Sequence, residues 1–78
     1  LRFDFSIFNK DKTIKFLIEY QGEQHYRVVD YFGGEDGFKL TQIRDNIKKE
    51  YCKINNISLL IIPYWEFDNI EHILNKFL

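Results

Sequence analysis

Six side chains carry most of the reactive chemistry in this chain. Asp4 lies in RFDF; Glu19, Gln21 and His25 lie in IEYQGEQHY; Asp45 and Lys48 lie in RDNIKK. Two carboxylates held on one face can share a divalent cation. An imidazole can pass a proton, and an ammonium can hold an anion. Glu19, Gln21, Glu23, Gln24 and His25 fall within seven positions, where a strand ordinarily closes in small turn residues. Such a segment is either a solvated edge or a reactive site, and the elements that position it decide which.

LRFDFSIF alternates, with Leu1, Phe3, Phe5 and Ile7 opposed to Arg2, Asp4, Ser6 and Phe8. After the polar turn NKDK, TIKFLIEYQ alternates again, with Ile14, Phe16, Ile18 and Tyr20 opposed to Lys15, Leu17, Glu19 and Gln21. Two such runs around a four-residue loop predict an antiparallel hairpin. An even loop sets Asp4 opposite Leu17 and diagonal to Glu19, roughly 7–8 Å away, with Gln21 further along the same face. An odd loop would move Asp4 to the other face, because a one-residue slip flips every side chain. Phe3, Phe5, Ile14, Phe16 and Ile18 gather opposite the polar set in the even register, which supports it.

Residues 22 to 38 hold every glycine of the chain and predict a loop, with room for a short strand over Tyr26–Val29. From Lys39 to about Asn55, the residues Leu40, Ile43, Ile47, Tyr51 and Ile54 recur at helical steps, and the pair Asn55–Asn56 ends the run. ISLLII predicts a buried strand stopped by Pro63. Asp68 is placed to cap a last helix, with Glu71 as its capping-box partner and Ile70, Ile73, Leu74 and Phe77 as the buried stripe. The aromatic stripes read as core, Trp65 as packed beneath the last helix, Cys52 as a small buried hydrophobe, and His72 as surface. Tyr31 and Phe32, in the glycine loop, are the aromatics expected to touch a ligand or form a lid. The order β-β-(β)-α-β-α is that of an α/β domain.

Composition bounds the reading. The chain has 78 residues and a net charge of −1, with 45% hydrophobic residues, one cysteine and no methionine. That is one domain with enough apolar content for a core, and with its missing methionine a fragment of a longer chain is expected. One cysteine excludes an internal disulfide framework and a multi-cysteine zinc site and favours an intracellular compartment. The longest apolar run is too short to span a bilayer, and no signal-peptide pattern is present. The bulk charge lacks a strongly basic footprint, but Lys39, Arg44, Lys48, Lys49 and Lys53 lie within fifteen residues. A basic helix beside an acidic centre is one way to hold a cation and a phosphate backbone together.

RFDF, IEYQGEQHY, the helical RD and LLIIPYW together resemble the PD-(D/E)XK nuclease superfamily, nearest its branch around the very-short-patch repair endonuclease and related phage and homing endonucleases. The likeness runs from Leu1 to about Glu71. It implies a restriction-endonuclease-like mixed sheet over a single nuclease-like domain, 1–78. It implies a metal-dependent endonuclease that hydrolyses DNA phosphodiester bonds with Mg²⁺, or Mn²⁺ in its place. By that resemblance Asp4 matches the first acidic metal ligand and Glu19 the acid of the half-motif. Gln21 stands where that half-motif usually has lysine, which leaves open the group that assists the attacking water. His25 matches the histidine of GxxH as base, phosphate donor or metal-shell ligand; Asp45 would orient it, and Lys48 could replace the missing lysine. Arg44, Lys48 and Lys39 would contact phosphates. The expected partner is DNA, with no membrane; a homodimer or further domains of a parent chain stay open. The location would be the cytoplasm, or a host cell if the gene is viral. The alternative is a DNA-binding or protein-interaction module that has lost catalysis on the same fold, and a toxin or a subunit completed by another chain is a third.

Overall fold

The computed structural model describes residues 2–77. Three strands, β1 (Phe5–Phe8), β2 (Ile14–Gln21) and β3 (Ser58–Pro63), form one mixed sheet in the order β1-β2-β3. β1 and β2 pair antiparallel and β2 and β3 parallel. Parallel neighbours need a long crossover, and helix α1 (Gly34–Ile54) supplies it. Short 3-10 turns occupy Glu23–His25, Asp30–Phe32 and Tyr64–Asn69, and helix α2 (Ile70–Phe77) ends the fold. The α/β character expected from the sequence is present. Leu1, expected on the apolar face of the first strand, lies outside the described residues.

The central strand is buried from Phe16 to Glu19 because both of its faces are covered. Phe16, Ile18 and Ile62 form a core with Ile7, Tyr20, Leu60, Ile70, Ile73 and Leu74, so the expected stripe of the last helix meets the sheet. Phe77, half exposed, stands against Phe16 with ring centroids 6.0 Å apart. α1 lies over the other face, where Leu17, Glu19 and Gln21 point. The helix ends as the Asn55–Asn56 pair foretold. Asn56 takes a left-handed φ of 57°, the Ile57 N–H donates to the Cys52 carbonyl at 2.8 Å, and the Asn56 N–H donates to that of Lys53 at 3.2 Å. This closes the last carbonyls as a Schellman motif.

Several expectations need correction. The hairpin loop is odd: the Asn9 N–H donates to the Thr13 carbonyl at 2.8 Å, and Lys12 sits at φ 71°. That is the three-residue turn with a left-handed last position. Ile7 pairs with Phe16 and Phe8 with Ile14, which leaves Lys15 as the extra residue of a β-bulge. The bulge cancels the odd parity, so Ser6 faces Leu17 and Phe5 faces Ile18. The register is therefore two residues from the one expected, and continuing it would set Asp4 opposite Glu19 instead of Leu17. Asp4, however, precedes β1 in a bend. Past that bend the alternation fails: Phe3 leaves the face of Phe5 and meets Tyr51 of α1 at a ring distance of 6.3 Å.

No strand forms over Tyr26–Val29, which runs as a turn, a bend and irregular chain. α1 begins five residues before Lys39, because Gly33 at φ 92° turns the chain into it and Glu35 and Asp36 favour its positive end. Asp68 lies inside the 3-10 turn and makes no capping bond. Trp65 is 60% exposed and packs on Tyr26, at 4.6 Å between centroids, not under α2. The largest departure concerns α1. Its apolar stripe of Leu40, Ile43, Ile47, Tyr51 and Ile54, expected in the core, is exposed. The helix turns a polar side to the sheet.

Candidate active site

That polar side carries Thr41, Asp45, Lys48 and Cys52, which recur at helical steps and are its less exposed positions. β2 presents Glu19 and Gln21 to it, because period-two alternation sends every odd residue of the strand toward α1. Both are 6% exposed. A charged and an amide side chain at that depth must be satisfied, and each has a partner. Lys48 Nζ donates to Glu19 Oε1 at 2.6 Å. The Tyr26 hydroxyl donates to Gln21 Oε1 at 2.7 Å.

The turn at Glu23–His25 follows β2 directly and swings His25 over α1. His25 Nδ1 lies 2.9 Å from Asp45 Oδ2 and 3.1 Å from Oδ1. A carboxylate only accepts, so Nδ1 carries the proton and Nε2 of the neutral ring keeps its lone pair. His25 and Asp45 are largely but not wholly buried, with side chains 19% and 15% exposed. A ring so oriented can take a proton from a neighbouring molecule.

Charge and burial act on these groups together. Burial pushes the Glu19 carboxyl above its usual range, against the Lys48 bond and charge; the nearby Asp4 carboxylate adds to the rise. Burial likewise raises Tyr26, with the charge of Asp45 as a second cause, so Tyr26 remains a donor to Gln21. Cys52 is raised by burial first and by Glu19 second.

Asp4 joins Glu19 across the strand end instead of along a shared face. Its Oδ2 accepts from the Tyr20 N–H at 2.8 Å, the bond that a longer β1 would have made with its backbone. Asp4 and Glu19 are oxygen donors, which suits Mg²⁺, a cation that keeps several waters and needs few protein ligands. Among the described residues no group of three or more His, Cys, Asp or Glu side chains comes together. A cation here would rest on two carboxylates and on water or a phosphate, and Lys48 already engages one oxygen of Glu19. By donor chemistry the two carboxylates suit such an ion, although Asp4 also lines the hollow on the α2 side of the sheet.

A hollow of about 720 Å³ opens beside His25 and Asp45, edged by Arg2, Arg44 and Lys48 and walled by Phe32, Leu40 and Ile47. A smaller one of about 300 Å³ lies on the other side of the same pair, with Gln21, Tyr26, Gln42, Asn46 and Lys49. Of the residues singled out in the sequence, Glu19 meets Lys48, His25 meets Asp45, and Arg44 lines the larger hollow. Gln21 turns toward the smaller hollow, Lys39 stands exposed away from both, and His72 is exposed on α2. Cys52 is buried, as expected of a small hydrophobe. Sequence reasoning missed Arg2 and Tyr26, and it noted Gln24 in the Glu19–His25 segment without giving it a role. Tyr26 carried a signal: a buried amide at Gln21 needs a nearby partner, and the tyrosine is five residues on.

No protein-family model and no solved structure matches the chain. It is 34% identical over 64 residues to the uncharacterized protein 307L of Invertebrate iridescent virus 6, which covers 81% of this chain and 32% of that protein. It is 41% identical over 69 residues to the uncharacterized protein 094L of Frog virus 3, covering 86% and 44%. With the uncharacterized protein 033L of Invertebrate iridescent virus 3 it shares 36% over 53 residues, 67% of this chain and 27% of that one. The chain thus spans between about a quarter and less than half of the length of the curated relatives it matches. No helix among the described residues is long and apolar enough to cross a membrane.

Proposed function

We propose that this domain is a metal-dependent endonuclease that hydrolyses DNA phosphodiester bonds on a restriction-endonuclease-like sheet, inside a host cell infected by a virus. The observation that carries the reading is the convergence, under one polar helix face, of buried Glu19 with Lys48 and of His25 with Asp45 beside a cationic hollow. Asp4 and Glu19 would hold Mg²⁺ or Mn²⁺, which supplies an acidified water and offsets charge on the phosphate.

The chain's own groups do the rest. Arg44, Arg2 and Lys48 hold the phosphate from the rim of the hollow. His25 Nε2 accepts the proton of the attacking water, and Asp45 steadies the imidazolium that results. Lys48, bonded to Glu19, would supply the ammonium that the resemblance expects at the position of Gln21. The Tyr26 bond holds the Gln21 amide, leaving its NH₂ as a donor.

Nicking of plasmid DNA in Mg²⁺ or Mn²⁺ tests this. Wild-type protein nicks; Glu19→Gln abolishes it, and His25→Ala lowers it by about 10²–10⁴-fold. The second reading, a nucleic-acid-binding module without catalysis, is favoured by the Glu19–Lys48 pair and the engaged Gln21, which leave few free metal ligands. Tight DNA binding by wild-type protein with no metal-dependent nicking would select it.

A further inference from the structure

The larger hollow is lined by two unlike sets of side chains. Arg2, Arg44 and Lys48 supply cations, and Phe32, Leu40 and Ile47 supply apolar surface, with Gln24 also in the lining. The three apolar residues are about half exposed, at 51%, 46% and 50%. Tyr31, 89% exposed, stands edge-on to Phe32 at 5.1 Å between centroids. The volume of the hollow lies in the range of sites that enclose a small organic group, about 300–1,000 Å³.

Intact duplex has no use for such an apolar surface. Its bases are stacked inside and it offers a protein phosphates and groove edges. An unpaired nucleotide suits both sets at once, with a phosphate for the cations and an open π-face for the aromatic ring. Gln24 adds a donor and an acceptor suited to a base edge.

We propose that this hollow receives an unpaired nucleotide, so that the strand brought to His25 and Asp45 is single-stranded or carries an unpaired base. The proposal deepens the endonuclease reading and rests on it for the role of the His25–Asp45 pair. Phe32 is the stacking platform, and Arg44 and Arg2 hold the adjoining phosphates.

The test is fluorescence anisotropy in EDTA with a labelled oligothymidylate, a blunt duplex of equal length, and the same duplex with one bulged nucleotide. The single strand and the bulged duplex are expected to bind about tenfold or more tightly than the blunt duplex. Phe32→Ala should remove that preference while leaving blunt-duplex binding and its salt dependence in place, and Phe32→Trp should restore it. Equal or tighter binding of the blunt duplex, no binding of any probe, or a Phe32→Ala protein with the preference intact would overturn the proposal. Cleavage of the same probes in Mg²⁺ separates the two failures. Equal cleavage of single strand and blunt duplex overturns the unpaired-nucleotide inference and leaves the endonuclease. Selective binding of single strands without cleavage does the reverse.

Discussion

Glu19 has an ammonium 2.6 Å from its carboxylate and still binds its proton more tightly than an ordinary glutamate, because burial outweighs the bond to Lys48. The consequence for stability has a definite sign. A carboxyl whose folded pKa lies above the unfolded value stabilises the fold fully below that value, near 4.5, and loses the contribution as pH rises through the folded pKa. Relative to Glu19→Gln, which does not titrate, the wild type should therefore gain unfolding free energy as pH falls from neutral toward 4.5. Urea denaturation at a series of pH values reads the difference; a loss over that interval would mean that the ion pair with Lys48 prevails over burial. Cys52 follows the same physics. It is 3% exposed and its thiol is pushed up by burial and by Glu19. Since the thiolate is the reactive form, thiol reagents at neutral pH should label the native protein far more slowly than urea-unfolded protein.

Among the elements, the hairpin and the entry to α1 show how local backbone sets which side chains meet. The bulge at Lys15 and the left-handed Lys12 are two one-residue irregularities whose effects on parity cancel, so Ser6 shares the face of Leu17 and Phe5 that of Ile18. In the first turn of α1, Gly37 packs directly on the Phe32 carbonyl, and a Cβ at that position would overlap its oxygen. Helix propensity alone favours Gly37→Ala by about 0.5–1 kcal/mol. The overlap with fixed backbone should reverse the sign and cost about 1–3 kcal/mol, read as a lower urea midpoint. Because Phe32 lines the larger hollow, the same substitution should also weaken binding of unpaired strands. A stabilised variant would show that this turn gives way easily.

As a whole the molecule is flat. It measures 43 × 30 × 14 Å, with a radius of gyration of 13.9 Å, against about 11.5 Å for a compact chain of this length. Among the described residues five hydrophobic side chains are buried, while Ile43, Ile54, Phe5 and Phe67 are each more than half exposed. Apolar surface on this scale promotes association. The protein should bind a hydrophobic dye in its native state and sediment with concentration-dependent mass. Ile43→Lys combined with Ile54→Lys should reduce both without lowering the unfolding midpoint, since neither side chain is in the core. Unchanged dye binding would place the sticky surface elsewhere, on the hollow between the sheet and α2 lined by Phe5, Phe67 and Leu74.

Much of this protein follows from its sequence alone. Period-two alternation places Glu19 and Gln21 on one face of a central strand, the Asn55–Asn56 pair ends α1, and the apolar pattern of Ile70–Phe77 seats α2. These are local, and each rests on a pattern within a few residues. Tertiary structure decided the rest. Whether an amphipathic helix turns its apolar or its polar stripe to a sheet depends on what the sheet offers, and β2 offered a carboxylate and an amide that needed partners. Lys48 buried against Glu19, Asp45 against His25, and Tyr26 on the Gln21 amide satisfy groups that would be costly to leave unpaired, and so the stripe read as core became surface. The parity of the hairpin likewise hung on a bulge that no alternation pattern announces, because Lys15 fits the polar phase of the strand as well as it fits the bulge.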